Sequence, residues 1–168
     1  MKRTILLVIL LLLCGCTSEY NLEINNNSFK EDINVIIPKN MIPEKTNTEV
    51  EIDDPITPFI EGEQAALLGS EDYYKKNVEY LDDNINVNLK YTFDENDFEN
   101  SNTLNLCFQN HKFTKKDTYY LHLSGEFYCL YADNLKINIK TDNKVLKNNA
   151  DEVNGNIYTW NINYDEID

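Results

Sequence analysis

Residues 84–93, Asn-Ile-Asn-Val-Asn-Leu-Lys-Tyr-Thr-Phe, decide the fold. The apolar side chains Ile85, Val87, Leu89, Tyr91 and Phe93 alternate without error against Asn84, Asn86, Asn88, Lys90 and Thr92. Successive side chains of a strand point to opposite faces, so this segment packs one face and wets the other. A strand of this kind needs neighbours, and the flanking sequence supplies them.

Towards the amino terminus, Tyr20, Leu22 and Ile24 alternate, then Ile33, Val35 and Ile37, around the polar cluster Asn25-Asn26-Asn27-Ser28. That is a β-hairpin pattern. Pro38, which has no amide hydrogen for a ladder, ends the second strand. The four prolines, Pro38, Pro43, Pro55 and Pro58, all fall within 38–61, together with Glu49, Glu51, Asp53 and Asp54. This composition predicts a long Pro-rich acidic surface loop, a feature usually tied to function or disorder. Residues 62–77 contain Gln64-Ala65-Ala66-Leu67-Leu68 and predict a helix, or two short ones with Ser70 capping the second. Towards the carboxyl terminus, the acidic stretch 95–106 predicts another short helix. Strand patterns follow at Tyr119, Leu121, Leu123; at Phe127, Cys129, Tyr131; and at Leu135, Ile137, Ile139. A last hairpin is expected to turn at Asn154-Gly155 into a strand alternating Tyr158, Trp160, Ile162 and Tyr164. The order predicts an α+β fold: a curved antiparallel sheet, hairpin plus meander, with one or two helices packed on one face.

The first residues have a different purpose. Lys2-Arg3 precede an apolar run, Ile5–Leu13, too short to span a bilayer, which needs about 20 residues. A basic start and a short apolar core are the marks of a secretion signal. The run ends at Leu13-Cys14-Gly15-Cys16, which resembles the lipobox of bacterial lipoproteins. The resemblance implies that residues 1–15 are removed and that Cys16 receives a diacylglycerol. Cys14 is the rival acceptor, but it follows the bulky Leu13 where the pattern wants a small residue. Residues 16–168 then form one extracytoplasmic domain, lipid-anchored at the cell membrane by a short tether.

Composition narrows the partners. The 15 basic residues include Lys2 and Arg3, so removal of the leader leaves 13 against 29 acidic ones, a formal charge of −16. Such acidity argues against binding nucleic acid, whose phosphates demand clustered Lys and Arg, and against an electrostatic grip on anionic lipid. The 25 asparagines read as codon bias and point to no function. Cys107 and Cys129 remain besides Cys16, and in an oxidising compartment such a pair predicts a disulfide, with two buried free thiols as the alternative. No nucleophile elbow, phosphate loop or His-Glu-x-x-His motif is present, and His111 and His122 lack the partners that catalysis needs. The reading is a non-enzyme without cofactor. Asp82-Asp83 and Asp94-Glu95-Asn96-Asp97 offer hard oxygens for Ca²⁺, but Phe98 stands where a ligand belongs, so solvated acidic turns and no metal are expected.

Three features together look like the LppM-type envelope lipoproteins: the opening hairpin behind the cysteine, the central helix followed by strands, and the closing segment 144–162 with Val145, Gly155, Thr159 and Trp160. The likeness spans nearly the whole mature chain. Many members carry a transmembrane helix at the carboxyl end, where this sequence runs polar to Asp168. The resemblance implies a helix-grip-like sheet around an apolar cavity that holds lipid or glycolipid, and it brings no catalytic residues. The cavity is expected between the helix at Leu67 and Leu68 and the inner faces of the strands, at Val87, Leu89, Tyr91, Ile137 and Trp160. Closure of that face by Tyr91, Phe93, Phe127 and Trp160 is the competing outcome. The functional expectation is a lipid- or glycolipid-binding module of the envelope. The alternative is a structural or partner-binding envelope protein that uses the 38–61 loop.

Overall fold

The computed structural model describes residues 16–42, 74–100, 104, 108, 110–115, 118–124 and 133–163. Strands β1 (Thr17–Asn25) and β2 (Ser28–Pro38) form the opening hairpin. Its turn passes through Asn26 at φ 53°, a left-handed conformation that asparagine tolerates better than most residues. β3 (Tyr74–Tyr80) and β4 (Asn84–Asp94) make a second hairpin, and β5 (Asn110–Lys115) and β6 (Tyr119–Ser124) a third. β7 (Asn134–Thr141), β8 (Glu152–Asn154) and β9 (Ile157–Asn163) complete the set. Seven strands join one sheet in the order β3-β4-β2-β1-β7-β9-β8, while β5 and β6 pair with each other alone.

The α+β, helix-grip-like expectation is overturned. Of the described residues 68% are strand and 9% helical, and none of the helices reaches seven residues. Within the predicted helix 62–77, residues 74–77 open β3 and pair with β4 from Tyr74 opposite Tyr91 onward. Backbone pairing to the neighbouring strand overrides local helix preference there. Leu67 and Leu68 lie outside the described residues. Of the second predicted helix, 95–106, the described part is a six-residue 3-10 segment, Glu95–Asn100, and Leu104, which is helical. The Asp94 carboxylate caps it, accepting from the amides of Asn96 at 2.8 Å and Asp97 at 3.3 Å. That carboxylate therefore serves a turn.

Two further corrections concern connection and register. The large sheet is mixed rather than antiparallel, because β1 pairs with β7 in parallel from Thr17–Asn134 to Ile24–Thr141. Alternation of side chains carries no information on strand direction. In the closing hairpin Asn154 pairs with Ile157, so the turn residues are Gly155 and Asn156, one position later than expected. Gly155 alone is left-handed, at φ 62°, which places glycine at the first turn position, as in a type II′ hairpin. Val145 lies in the irregular segment before β8, not in a strand.

One face of the large sheet is apolar. Tyr20, Leu22, Ile24, Phe29, Ile33, Val35, Ile37, Ile85, Val87, Leu89, Phe93, Leu135 and Ile137 are all buried on it. Phe98, Leu104, Phe108 and Phe113 join the same core. The rings interlock: Phe29 lies 5.0 Å from Phe113, 5.1 Å from Phe98 and 5.3 Å from Phe93, and Tyr20 meets Phe108 edge-on at 5.4 Å. Such pairs contribute about 0.5–1.5 kcal/mol beyond the area they bury. The β5–β6 hairpin is thereby fastened over the sheet through Phe113.

Candidate functional site

The opposite face of the same sheet is polar across nearly its full width. Cross-strand register places its side chains in rows. One row runs Lys90, Asp32, Asn21, Asn138, Thr159, Glu152; the next runs Thr92, Lys30, Glu23, Lys140, Ile157, Asn154; on the other side lie Asn88, Asn34, Glu19, Lys136 and Asn161. Between these rows opens a groove of about 620 Å³, lined by Asn21, Asp32, Lys90, Lys136, Asn138 and Thr159 among others.

The groove is held in shape by its own hydrogen bonds. Asn88 Nδ2 donates to Asp32 Oδ1 and to Asn34 Oδ1, each at 2.6 Å. Asn138 Nδ2 donates to Glu19 Oε1 at 2.6 Å and to Asn21 Oδ1 at 2.9 Å, and its own Oδ1 accepts from Thr159 Oγ1 at 2.8 Å. Lys90 pairs with Asp32 at 3.3 Å and Lys140 with Glu23 at 3.2 Å. The carboxyl of Glu23 is held below its ordinary value, first by a hydrogen bond from Asn25 and then by Lys140. Lys30 stands opposite Glu23 across β1 and β2, and its charge also helps to hold that carboxyl down, while Lys136 makes no ion pair within 4 Å among the described residues. Both Nδ2 hydrogens of Asn88 and of Asn138 are used in these bonds, so what the fixed side chains still offer is carboxylate and amide-oxygen lone pairs and lysine ammonium groups. Four lysines and five carboxylates line the groove, which is therefore close to charge balance in a strongly acidic protein.

Of the residues expected to line an apolar cavity, Val87, Leu89, Tyr91, Ile137 and Trp160 alternate onto the other face, and Tyr91 also borders the groove. Leu89, Ile33, Tyr20, Ile137 and Trp160 form one continuous row across five strands. Val87 and Leu89 are 1% and 3% exposed and Ile137 is 9%, so these side chains belong to the core. Tyr91 stacks on Phe93 at 5.3 Å. Trp160 is half-buried and donates from Nε1 to the Asn149 carbonyl at 2.9 Å, pinning the segment before β8. Phe127, Cys107, Cys129 and residues 43–61 of the Pro-rich loop lie outside the described residues.

Cys16 sits immediately before β1, with its thiol 1% exposed and donating to Met41 Sδ at 3.5 Å. Burial pushes this thiol's pKa up, and the charge of Asp133 adds to the shift. The Cys16 carbonyl accepts from the amides of Asp133 at 3.0 Å and Asn134 at 3.4 Å, so the cysteine is locked against the start of β7. Sequence reasoning missed the polar face. Its signal was the polar half of 84–93, Asn84, Asn86, Asn88, Lys90 and Thr92, whose asparagines composition alone disguised as codon bias.

No family model, curated protein or solved structure matches the chain.

Proposed function

We propose that this chain is a lipid-anchored extracytoplasmic binding module of the bacterial envelope, and that its polar sheet face takes the saccharide headgroup of a glycolipid. One observation carries the ligand site: the groove opens on the hydrogen-bonding face, whereas the apolar side chains of the same strands are consumed in the core. The lipobox at 13–16 supports the anchoring. The thiol is buried against Met41, so a Cys16 that carries diacylglycerol has to turn its sulfur out of this contact.

Placement supports this reading. Strand β1 starts at the residue after the acceptor, so the tether is shorter than the sequence suggests. Glu19 and Glu23 stand about 10 Å and 23 Å along the strand from Cys16, at roughly 3.3 Å per residue. A diglycosyl headgroup projecting from the same leaflet reaches the near end of the groove, at Glu19, while its acyl chains stay in the membrane.

The test uses acylated full-length protein already reconstituted in phosphatidylcholine vesicles and measures saturable binding of a fluorescent diglycosyl diacylglycerol against a diacylglycerol with the same chains and label. Binding that requires the sugar, and falls in Asn138→Ala and Lys136→Ala, supports the proposal. Saturable uptake of a fluorescent fatty acid, unaffected by either substitution, places the ligand elsewhere.

A further inference from the structure

Three of the exposed large hydrophobic residues gather at one end of the sheet, and it is the end that carries Cys16. Ile36 is 43% exposed, Tyr80 63% and Leu81 41%. Ile36 pairs directly with Thr17, the residue after the cysteine. Tyr80 pairs with Ile85, which also faces Ile37 of β2. A chain of contacts joins the two sides. Cys16 touches Met41, and the Lys39 amide donates to the Asp83 carbonyl at 2.9 Å. Lys39 Nζ donates to the Asp82 carbonyl at 3.0 Å, and the Leu81 amide donates to the Asn84 carbonyl at 2.9 Å.

We propose that this rim, built from Ile36, Tyr80 and Leu81 around Cys16, is a membrane-seating surface that dips into the lipid interface beside the anchor. The inference rests on the lipid-anchored reading of Cys16, which brings the bilayer to this end. Its side chains fit the occupant. Leu81 and Ile36 are apolar, and tyrosine has an apolar body with a polar tip that suits the headgroup level. A single-residue step from acyl cysteine to strand leaves no spacer to lift the rim clear of lipid. The seating is apolar, since Asp82, Asp83 and Asp133 at the same end repel anionic headgroups. It therefore operates on neutral lipid and at high salt. Seating also fixes orientation: with β1 held upright, the polar groove begins about three residues above the membrane, roughly 10 Å at strand spacing.

The experiment uses full-length acylated protein reconstituted in phosphatidylcholine vesicles whose acyl chains carry bromine. Trp160 is the chain's single tryptophan and supplies the baseline emission. Incorporation of a palmitate analogue at Cys16 is measured on the same samples. The Tyr80→Trp and Leu81→Trp variants are each expected to show blue-shifted emission and a loss of intensity in brominated lipid that exceeds the wild-type loss, unchanged at high salt. Label at Cys16 with wild-type quenching in both variants overturns the seating surface and leaves the anchor intact. Absence of label at Cys16 overturns both.

Discussion

Replacing Tyr20 by Phe removes one oxygen from the centre of the core. Tyr20 is fully buried, and its hydroxyl donates to Glu31 Oε1, itself in a residue only 2% exposed. The ring stays, because phenylalanine keeps the edge-on contact with Phe108. What is lost is a buried hydrogen bond to a carboxylate, worth about 1.5–3 kcal/mol. For a domain of this size 1 kcal/mol shifts the melting temperature by about 2–4 °C, so the variant should melt roughly 3–12 °C lower. Urea denaturation followed by Trp160 fluorescence should show a lower midpoint with unchanged slope. The pH response separates this pair from a packing effect. Burial, then the Glu31 charge and hydrogen bond, raise the Tyr20 pKa well above the ordinary tyrosine value. A group whose folded pKa is raised stabilises the fold fully below its unfolded pKa, about 10 for tyrosine, and loses that contribution as pH climbs towards the folded value. Wild type should therefore lose stability above about pH 10 more steeply than Tyr20→Phe. A variant within about 0.5 kcal/mol of wild type, the range of an ordinary surface substitution, refutes the role assigned to the pair.

The other predictions probe separate elements. Gly155→Ala meets nothing within 4 Å of the added carbon, so only the left-handed backbone at φ +62° opposes it. Thermal melting should show a loss of about 1–2 kcal/mol, and an unchanged melting temperature would show that the turn relaxes. Cys16→Ala should abolish palmitate-analogue labelling and leave unprocessed precursor on a gel; labelling that persists moves the acceptor to Cys14. Non-reducing peptide mapping should recover Cys107 and Cys129 as one linked pair, and recovery of both as alkylated thiols without reductant ends that proposal.

Strand identity was readable where alternation was strict. The apolar set of 84–93 and the two arms of the opening hairpin occupy the face that their period demanded. Helix content was overestimated for physical reasons. Tyr74–Tyr80 is a strand because it pairs along β4, a contact that composition of its own residues does not reveal. The acidic run after Asp94 has the composition of a helix start but closes as a capped 3-10 segment. The parallel β1–β7 pair joins residues more than a hundred positions apart, and no local pattern announces it. For the site, sequence reading concentrated on the apolar half of each alternating strand. Leu89, Ile137 and Trp160 do share one row, yet that row is core. The informative half was the polar one, where Asn88 and Asn138 each tie two neighbouring side chains together.

Which face meets the ligand can be read directly from side-chain resonances of the acylated full-length protein in micelles. The titrant is the glycerol-linked disaccharide obtained by deacylating a diglycosyl diacylglycerol. The polar-face account predicts saturable shifts in the Nδ2 amide protons of Asn21, Asn88 and Asn138, with the methyl groups of Val87, Leu89 and Ile137 unmoved. Shifts confined to those methyl groups, with the asparagine amides silent, would contradict it.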